Sequence, residues 1–277
     1  MKSLTVNRFS LFDTIESGQT FTWIREGNGY VNADLGQVIY VEQKDSRLFY
    51  ECSSHPVDLG RIFRLNDPLD EIQAEITRRG YMQESIDFAP NLRIISDPLV
   101  PCLFSFISSI QKNIPAIQTL MNSIREKWGP TYEFRERIYY GFPSLEDLSG
   151  ACISDFEGLN AGYRSKFFVK IIESMNRGDV TEEHLKTLTY SEAQETLKNL
   201  HGVGDKVADC VCLFSLGFLE AFPIDVWIEK VIQEHYPVFE TEGKTYQKRA
   251  DAARKYFGRY AGYAQEYLYY YSRCNGV

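Results

Sequence analysis

The sequence predicts an α+β fold in which an N-terminal antiparallel β-sheet is followed by a mostly α-helical region, and three observations predict it. Between residues 20 and 65, short aromatic and β-branched segments alternate with turn signals. At Leu69 the apolar period changes to that of a helix. Beyond Pro90 the apolar residues fall into long helical stripes.

Taken in order, strands are expected over 21–24, 30–33, 37–41 and 47–51, divided by Gly27-Asn28-Gly29 and Lys44-Asp45-Ser46. Leu69, Ile72 and Ile76 share one helical face, and Ala89-Pro90-Asn91 marks a boundary between a sheet domain, 1–89, and a helical region, 90–277. Within that region Leu99, Leu103, Phe106, Ile107 and Ile110 form one stripe. Ile117, Met121, Ile124 and Trp128 form another, stopped by Gly129-Pro130. Tyr260, Tyr263, Tyr267, Tyr269, Tyr270 and Tyr271 read as a packed amphipathic C-terminal helix, with one or two rings facing a pocket.

The stretch from Leu200 to Asp225 is the most informative. Leu200-His201-Gly202-Val203-Gly204-Asp205 is a glycine-punctuated turn between two helical patterns, together a helix–hairpin–helix over about 191–217. A tight turn of this kind favours residues without a Cβ and leaves backbone N–H groups pointing outward, where they can hold a phosphate without a charged side chain. Lys206 falls in the first turn of the following helix, whose apolar stripe is Val207, Cys210, Val211 and Phe214. A cation there opposes the helix dipole, so helix propensity does not explain it. Asp225 follows Pro223-Ile224 and precedes a second apolar run, where an N-cap carboxylate belongs. Each part has a plain structural reading: glycine turns join many helices, a lone lysine is usually solvated, and an aspartate after a proline is usually a cap. The three in this order and spacing favour chemistry.

With 277 residues and 44% hydrophobic content the chain is long enough for two or three packed units. No apolar run approaches the ~20 residues of a membrane-spanning helix and the N-terminus lacks a signal-like core, so a soluble, intracellular protein is expected. The cysteines Cys52, Cys102, Cys152, Cys210, Cys212 and Cys274 show no Cys-x-x-Cys spacing. Cys210 and Cys212 would point about 200° apart on a helix, which argues against a metal site. His55, His184, His201 and His235 are equally dispersed and suggest no metal or triad. The net charge of −8 by itself opposes a nucleic-acid partner, but phosphate held by backbone amides needs fewer cations; modest, strongly salt-sensitive binding is the expectation.

The run Leu200 to Cys210 followed by Pro223-Ile224-Asp225 resembles the helix-hairpin-helix, Gly-Pro-Asp signature of DNA glycosylases, and within that superfamily the 8-oxoguanine DNA glycosylases. Further islands in the family's order support this: Ser17-Gly18-Gln19-Thr20-Phe21-Thr22-Trp23, Cys102-Leu103-Phe104-Ser105-Phe106-Ile107 with Asn113-Ile114, Gly141-Phe142-Pro143-Ser144-Leu145, Gly162-Tyr163-Arg164, and Tyr260-Ala261-Gly262-Tyr263-Ala264-Gln265.

The resemblance implies an enzyme that flips 8-oxoguanine out of duplex DNA, removes it and cleaves the strand by β-elimination. Its active site would lie in a cleft between two helical subdomains. By similarity, Lys206 attacks C1′ as a neutral amine and Asp225 stabilises the developing positive charge. The Gly18 carbonyl would accept N7–H of the lesion, Gln265 would read its Watson–Crick edge, and Cys210 and Tyr269 would sandwich its faces. Tyr163 would be the wedge. Gly202, Gly204 and Val207 would hold the phosphate, with a monovalent cation on the hairpin carbonyls, while Gln111, Asn113, Arg164 and Trp227 are further DNA-binding positions. No cofactor and no iron–sulfur cluster are expected, since Cys274 alone follows Asp225. The partner would be lesion-containing duplex and the enzyme a monomer, cytoplasmic in a prokaryote and nuclear in a eukaryote.

The sequence also departs from the family pattern. Where the opposite cytosine is read by an Asn and two Arg, this chain has Gln111, Ala116 and Arg164, which predicts relaxed opposite-base selectivity. Trp227 stands for a histidine and Tyr269 for a phenylalanine. The alternatives are a monofunctional alkyladenine-type glycosylase, which would not need Lys206, and a non-catalytic hairpin DNA-binding protein. A helical interaction protein without a DNA role suits the acidic charge but leaves the ordered islands unexplained.

Overall fold

The structure, a computed structural model, describes residues 1–241 and 243–276. A five-stranded antiparallel sheet comprises β1 (Lys2–Thr5), β2 (Trp23–Glu26), β3 (Gly29–Asn32), β4 (Ile39–Lys44) and β5 (Arg47–Cys52), in the order β1-β5-β4-β3-β2. The expected turn signals close its hairpins: Gly27 (φ +58°) lies between β2 and β3, and Asp45 (φ +52°) between β4 and β5. All four residues of β1 are exposed, so it joins the edge beside β5 without a period the sequence could display.

The helices follow as α1 (Leu11–Glu16), α2 (Leu59–Ile62), α3 (Leu69–Ile76), α4 (Tyr81–Phe88), α5 (Leu99–Ser108), α6 (Ile114–Trp128), α7 (Ile153–Gly158), α8 (Arg164–Asn176), α9 (Glu182–Leu185), α10 (Tyr190–Lys198), α11 (Asp205–Val211), α12 (Val226–His235), α13 (Tyr246–Phe257) and α14 (Ala261–Asn275). The helical half is interrupted by a hairpin, β6 (Thr131–Phe134) and β7 (Arg137–Tyr140). Its turn uses Arg135 and Glu136 at φ +50° and +61°, so no Gly or Asn announces it. Phe134 of this hairpin packs with Val31, Ala33, Val38 and Tyr40.

The chain divides into two compact units that interleave in sequence: Met1–Val6, Thr20–Asp58 and Asp97–Val203 form one, and Asn7–Gln19, Leu59–Ser96 and Gly204–Val277 form the other. In the first, α5 is buried almost all round and is its central helix. Arg125 of α6 donates from Nε to Asp34 Oδ1 at 2.9 Å, from Nη2 to Asp34 Oδ2 at 2.5 Å and to the Phe21 carbonyl at 2.9 Å. This buried pair, satisfied on both sides, anchors α6 to the loop after β3. In the second unit, α14 is buried from Ala261 to Leu268. Its Tyr263 hydroxyl donates to Asp67 at 2.8 Å and its Tyr267 hydroxyl accepts from Gln73 at 2.8 Å, so an aromatic helix that reads as amphipathic is a core element with satisfied hydroxyls.

Candidate active site

The hairpin turn carries two glycines for different reasons. Gly202 has φ +89°, and a Cβ there would lie 2.4 Å from Cγ of Phe167, so a side chain is excluded twice over. Gly204 has φ −97° and nothing within 4 Å of a Cβ; it is the N-cap of α11 and has no side chain to cap it. Val207 is buried.

Lys206 is the second residue of α11 and half-buried, in the first turn as its sequence position predicts. Cys210 lies four residues on, one helical turn along the same face. The Cys210 thiol is pushed up to about 12 by burial, against the lowering effect of the Lys206 charge, so at neutral pH it is an uncharged, apolar wall and not a nucleophile.

Asp225 is the N-cap of α12; its Oδ1 accepts the N–H groups of Trp227 at 3.0 Å and Ile228 at 2.9 Å. Burial raises the carboxyl above its ordinary range, opposed by the Ile228 N–H, the Lys206 charge and the Trp227 N–H. The Lys206 charge therefore acts on both Asp225 and Cys210. Trp227 lies beside the cap, its ring 5.1 Å from Lys230 Nζ.

Gly18 follows α1 at φ +104°, and a Cβ there would stand 3.0 Å from Cε1 and 3.2 Å from the hydroxyl of Tyr269. The residue after it is firmly held. Gln19, 1% exposed, donates to the Thr14 and Arg93 carbonyls, both at 2.8 Å, and accepts the Ile95 N–H at 2.7 Å. On α14, Gln265 and Tyr269 are four residues apart on one face. Gln265 is buried and its Oε1 has no hydrogen-bond partner among the described residues, an acceptor available to a ligand donor. Burial and the Asp225 charge raise the Tyr269 hydroxyl, which also lies within electrostatic reach of Cys210. Gly18, Lys206, Cys210, Asp225, Gln265 and Tyr269 thus all belong to one unit.

The expected opposite-strand residues belong to the other unit. Tyr163 is 52% exposed at the start of α8, with the Arg164 guanidinium 4.5 Å over its ring. Arg164 is buried, donating to the Ala161 carbonyl at 3.2 Å and to the Ile110 carbonyl, while its Nε has no partner among the described residues. Gln111 is exposed at φ +53°. Asn113 caps α6 through the Ala116 N–H at 3.0 Å, so its side chain already has a structural task.

Sequence reasoning missed Glu266 and Arg273 of α14. Arg273 lies 5.6 Å from the Tyr269 ring and donates to the Glu16 carbonyl, bracing the turn that leads to Gly18. Glu266 is 1% exposed and coupled to Asp225. Both read as surface charges of an amphipathic helix, and no spacing signal separates them from such residues. Among the described residues no cluster of His, Cys, Asp and Glu could hold a metal ion, and no helix is long and apolar enough to cross a membrane.

Residues 3–103 match the model of the 8-oxoguanine DNA glycosylase N-terminal domain. The chain is similar to the Clostridium acetobutylicum 8-oxoguanine glycosylase/lyase solved with double-stranded DNA containing cytosine opposite 8-oxoguanine. The two are 32% identical with a TM-score of 0.89, covering 98% of this chain and 94% of that one. It is also 27% identical to the N-glycosylase/DNA lyase OGG1 of Arabidopsis thaliana, over 96% of this chain and 78% of the relative. A probable N-glycosylase/DNA lyase of Methanothermobacter thermautotrophicus is 28% identical over 70% of this chain and 67% of its own length.

Proposed function

This chain belongs to the 8-oxoguanine DNA glycosylase family, and on that premise we propose that Lys206 and Asp225 are the amine and carboxylate with which it excises 8-oxoguanine from duplex DNA and cleaves the strand. The enzyme is a bifunctional N-glycosylase and lyase. The observation that carries the residue assignment is geometric: Lys206 stands half-buried in the first turn of α11, in the same unit as Asp225, whose Oδ1 is held by the Trp227 and Ile228 amides.

Breaking the C1′–N bond develops positive charge on the sugar. The Asp225 carboxylate, its Oδ1 fixed by two helix amides, stabilises that charge without reorganising. The Lys206 amine captures C1′, the base departs, and loss of the sugar-ring oxygen from C1′ gives the Schiff base from which the 3′ phosphate is eliminated. The neutral Cys210 thiol and the Tyr269 ring suit the two faces of a flipped base, and the unpartnered Gln265 amide oxygen suits a donor on its edge. The Gly18 carbonyl would accept N7–H, a proton that guanine lacks; an unpaired buried acceptor costs about 1–3 kcal/mol, enough for useful discrimination. Gly202, Gly204 and Val207 would hold a phosphate through N–H groups, with Tyr163, Gln111, Asn113, Arg164 and Trp227 as further contacts. A monovalent cation would sit on hairpin carbonyls, which keep a second lone pair when they already accept, as Leu200 does from Val203. No step of the reaction runs through it.

Borohydride trapping on a duplex containing 8-oxoguanine tests the assignment. A covalent adduct is expected with the native chain and none with Lys206→Gln, which should still bind the duplex. Base release without an adduct would point to a monofunctional glycosylase. Because Ala116 offers no side-chain donor, excision opposite cytosine and opposite adenine should be comparable. A cytosine preference above about a hundredfold, ~2.7 kcal/mol, would contradict this.

A further inference from the structure

We propose that Tyr246 is a positioning residue for this reaction, its hydroxyl tying the helix that carries Lys206 to the backbone N–H of Ile224, the residue before Asp225. The proposal rests on the reading of Lys206 and Asp225 given above. Tyr246 is the first residue of α13, held there by the Thr245 cap. Its hydroxyl donates to Asp209 Oδ2 at 2.6 Å and accepts the Ile224 N–H at 3.2 Å. Asp209 is fully buried on α11, three residues beyond Lys206 and therefore just under one turn along the same helix. Ile224 is the peptide neighbour of Asp225.

A single oxygen atom therefore links the lysine's helix to the backbone one residue before the aspartate. The bonds from Trp227 and Ile228 tie the Asp225 carboxylate to α12, and the Tyr246 bonds tie the approach to that helix to α11. The distance between an attacking amine and a stabilising carboxylate governs the rate steeply, since a misplacement of about 1 Å can cost about a hundredfold. Burial holds the phenol well above its ordinary ionisation range, so it remains a donor throughout the enzyme's working pH. Replacing the hydroxyl removes a donor from a buried carboxylate and an acceptor from a buried N–H at once.

The test is Tyr246→Phe, followed by single-turnover base release and by borohydride trapping on a lesion duplex, both well below the variant's melting temperature. Duplex affinity should stay within about threefold of native, while base release and adduct formation each slow by about tenfold or more. A purely structural role would lower the melting temperature and leave the folded enzyme's rates alone. Rates within about twofold of native overturn the proposal. Should Tyr246→Phe fail to fold, Asp209→Asn with Tyr246→Phe removes the buried charge together with the hydroxyl and is compared with Asp209→Asn alone. The same slowing is expected, and equal rates overturn the proposal. A native chain that forms no adduct would instead overturn the reading of Lys206 on which the proposal rests.

Discussion

Glu266 stands one residue from the proposed base reader Gln265, and its carboxyl is lifted to about 8 by burial, with the nearby Asp225 charge adding to the rise and the Ser17 hydroxyl and Arg273 opposing it. One of its oxygens, Oε1, has no hydrogen-bond partner among the described residues, which a neutral acid tolerates better than a carboxylate. Its ordinary value is 4.5, so between about pH 4.5 and 8 the folded protein holds a proton that the unfolded chain releases. Stability is therefore greatest below that window and falls as pH rises through it, by an amount on the order of a few kcal/mol. Glu266→Gln keeps the shape and removes the titration. Its melting temperature should gain on the native protein from about pH 5 to about pH 8 and level off above that, and parallel curves would show that Glu266 does not titrate in that range. Nothing in the sequence separates this residue from a solvated helix charge, because burial of a glutamate is decided by what packs over it.

At the scale of elements, α12 carries a carboxylate with two tasks that substitution can separate. Asp225→Asn retains an oxygen to cap the Trp227 and Ile228 amides but loses the charge. Its stability should stay within about 0.5 kcal/mol of native while base release falls by about a hundredfold or more. Asp225→Ala should lose the cap as well, at a further cost of about 1 kcal/mol. Equal activity of Asp225→Asn and the native chain in single turnover would leave the aspartate with a structural task alone. Both the hairpin and this cap are legible in the sequence because local rules set them: glycine where φ is positive, an acidic residue after a proline at a helix start. β1 and the β6–β7 hairpin are not, since the first is wholly exposed and the second turns on Arg135 and Glu136. Gly204 shows the reverse: it reads as a conformational necessity, yet its backbone is one that other residues adopt.

For the whole molecule, periodicity along a chain reports neighbours in sequence, so it cannot reveal that Asn7–Gln19 and Leu59–Ser96 share a unit with Gly204–Val277. That assembly is what puts Gly18 beside Tyr269. The charge balance is readable in full from the sequence, and its consequence for DNA binding follows from how the cations are used. The chain has 30 Lys and Arg against 38 Asp and Glu. Several cations are held by carboxylates: Arg125 by Asp34, Lys127 by Asp155, Arg135 by Glu51 and Arg249 by Glu229. Near the proposed wedge, burial and the neighbouring Arg164 lower Lys112, which donates to the Asn160 carbonyl at 3.0 Å. A phosphate gripped by uncharged hairpin amides would release fewer condensed counterions than one gripped by side-chain cations. Affinity for lesion duplex should fall with salt, but by less than the ~10³-fold between 50 and 200 mM that about six side-chain phosphate contacts would give. Equilibrium binding across that range, with Lys206→Gln used to prevent turnover, measures the slope. A steeper loss would mean that cations outside the assigned DNA-binding residues dominate the interaction.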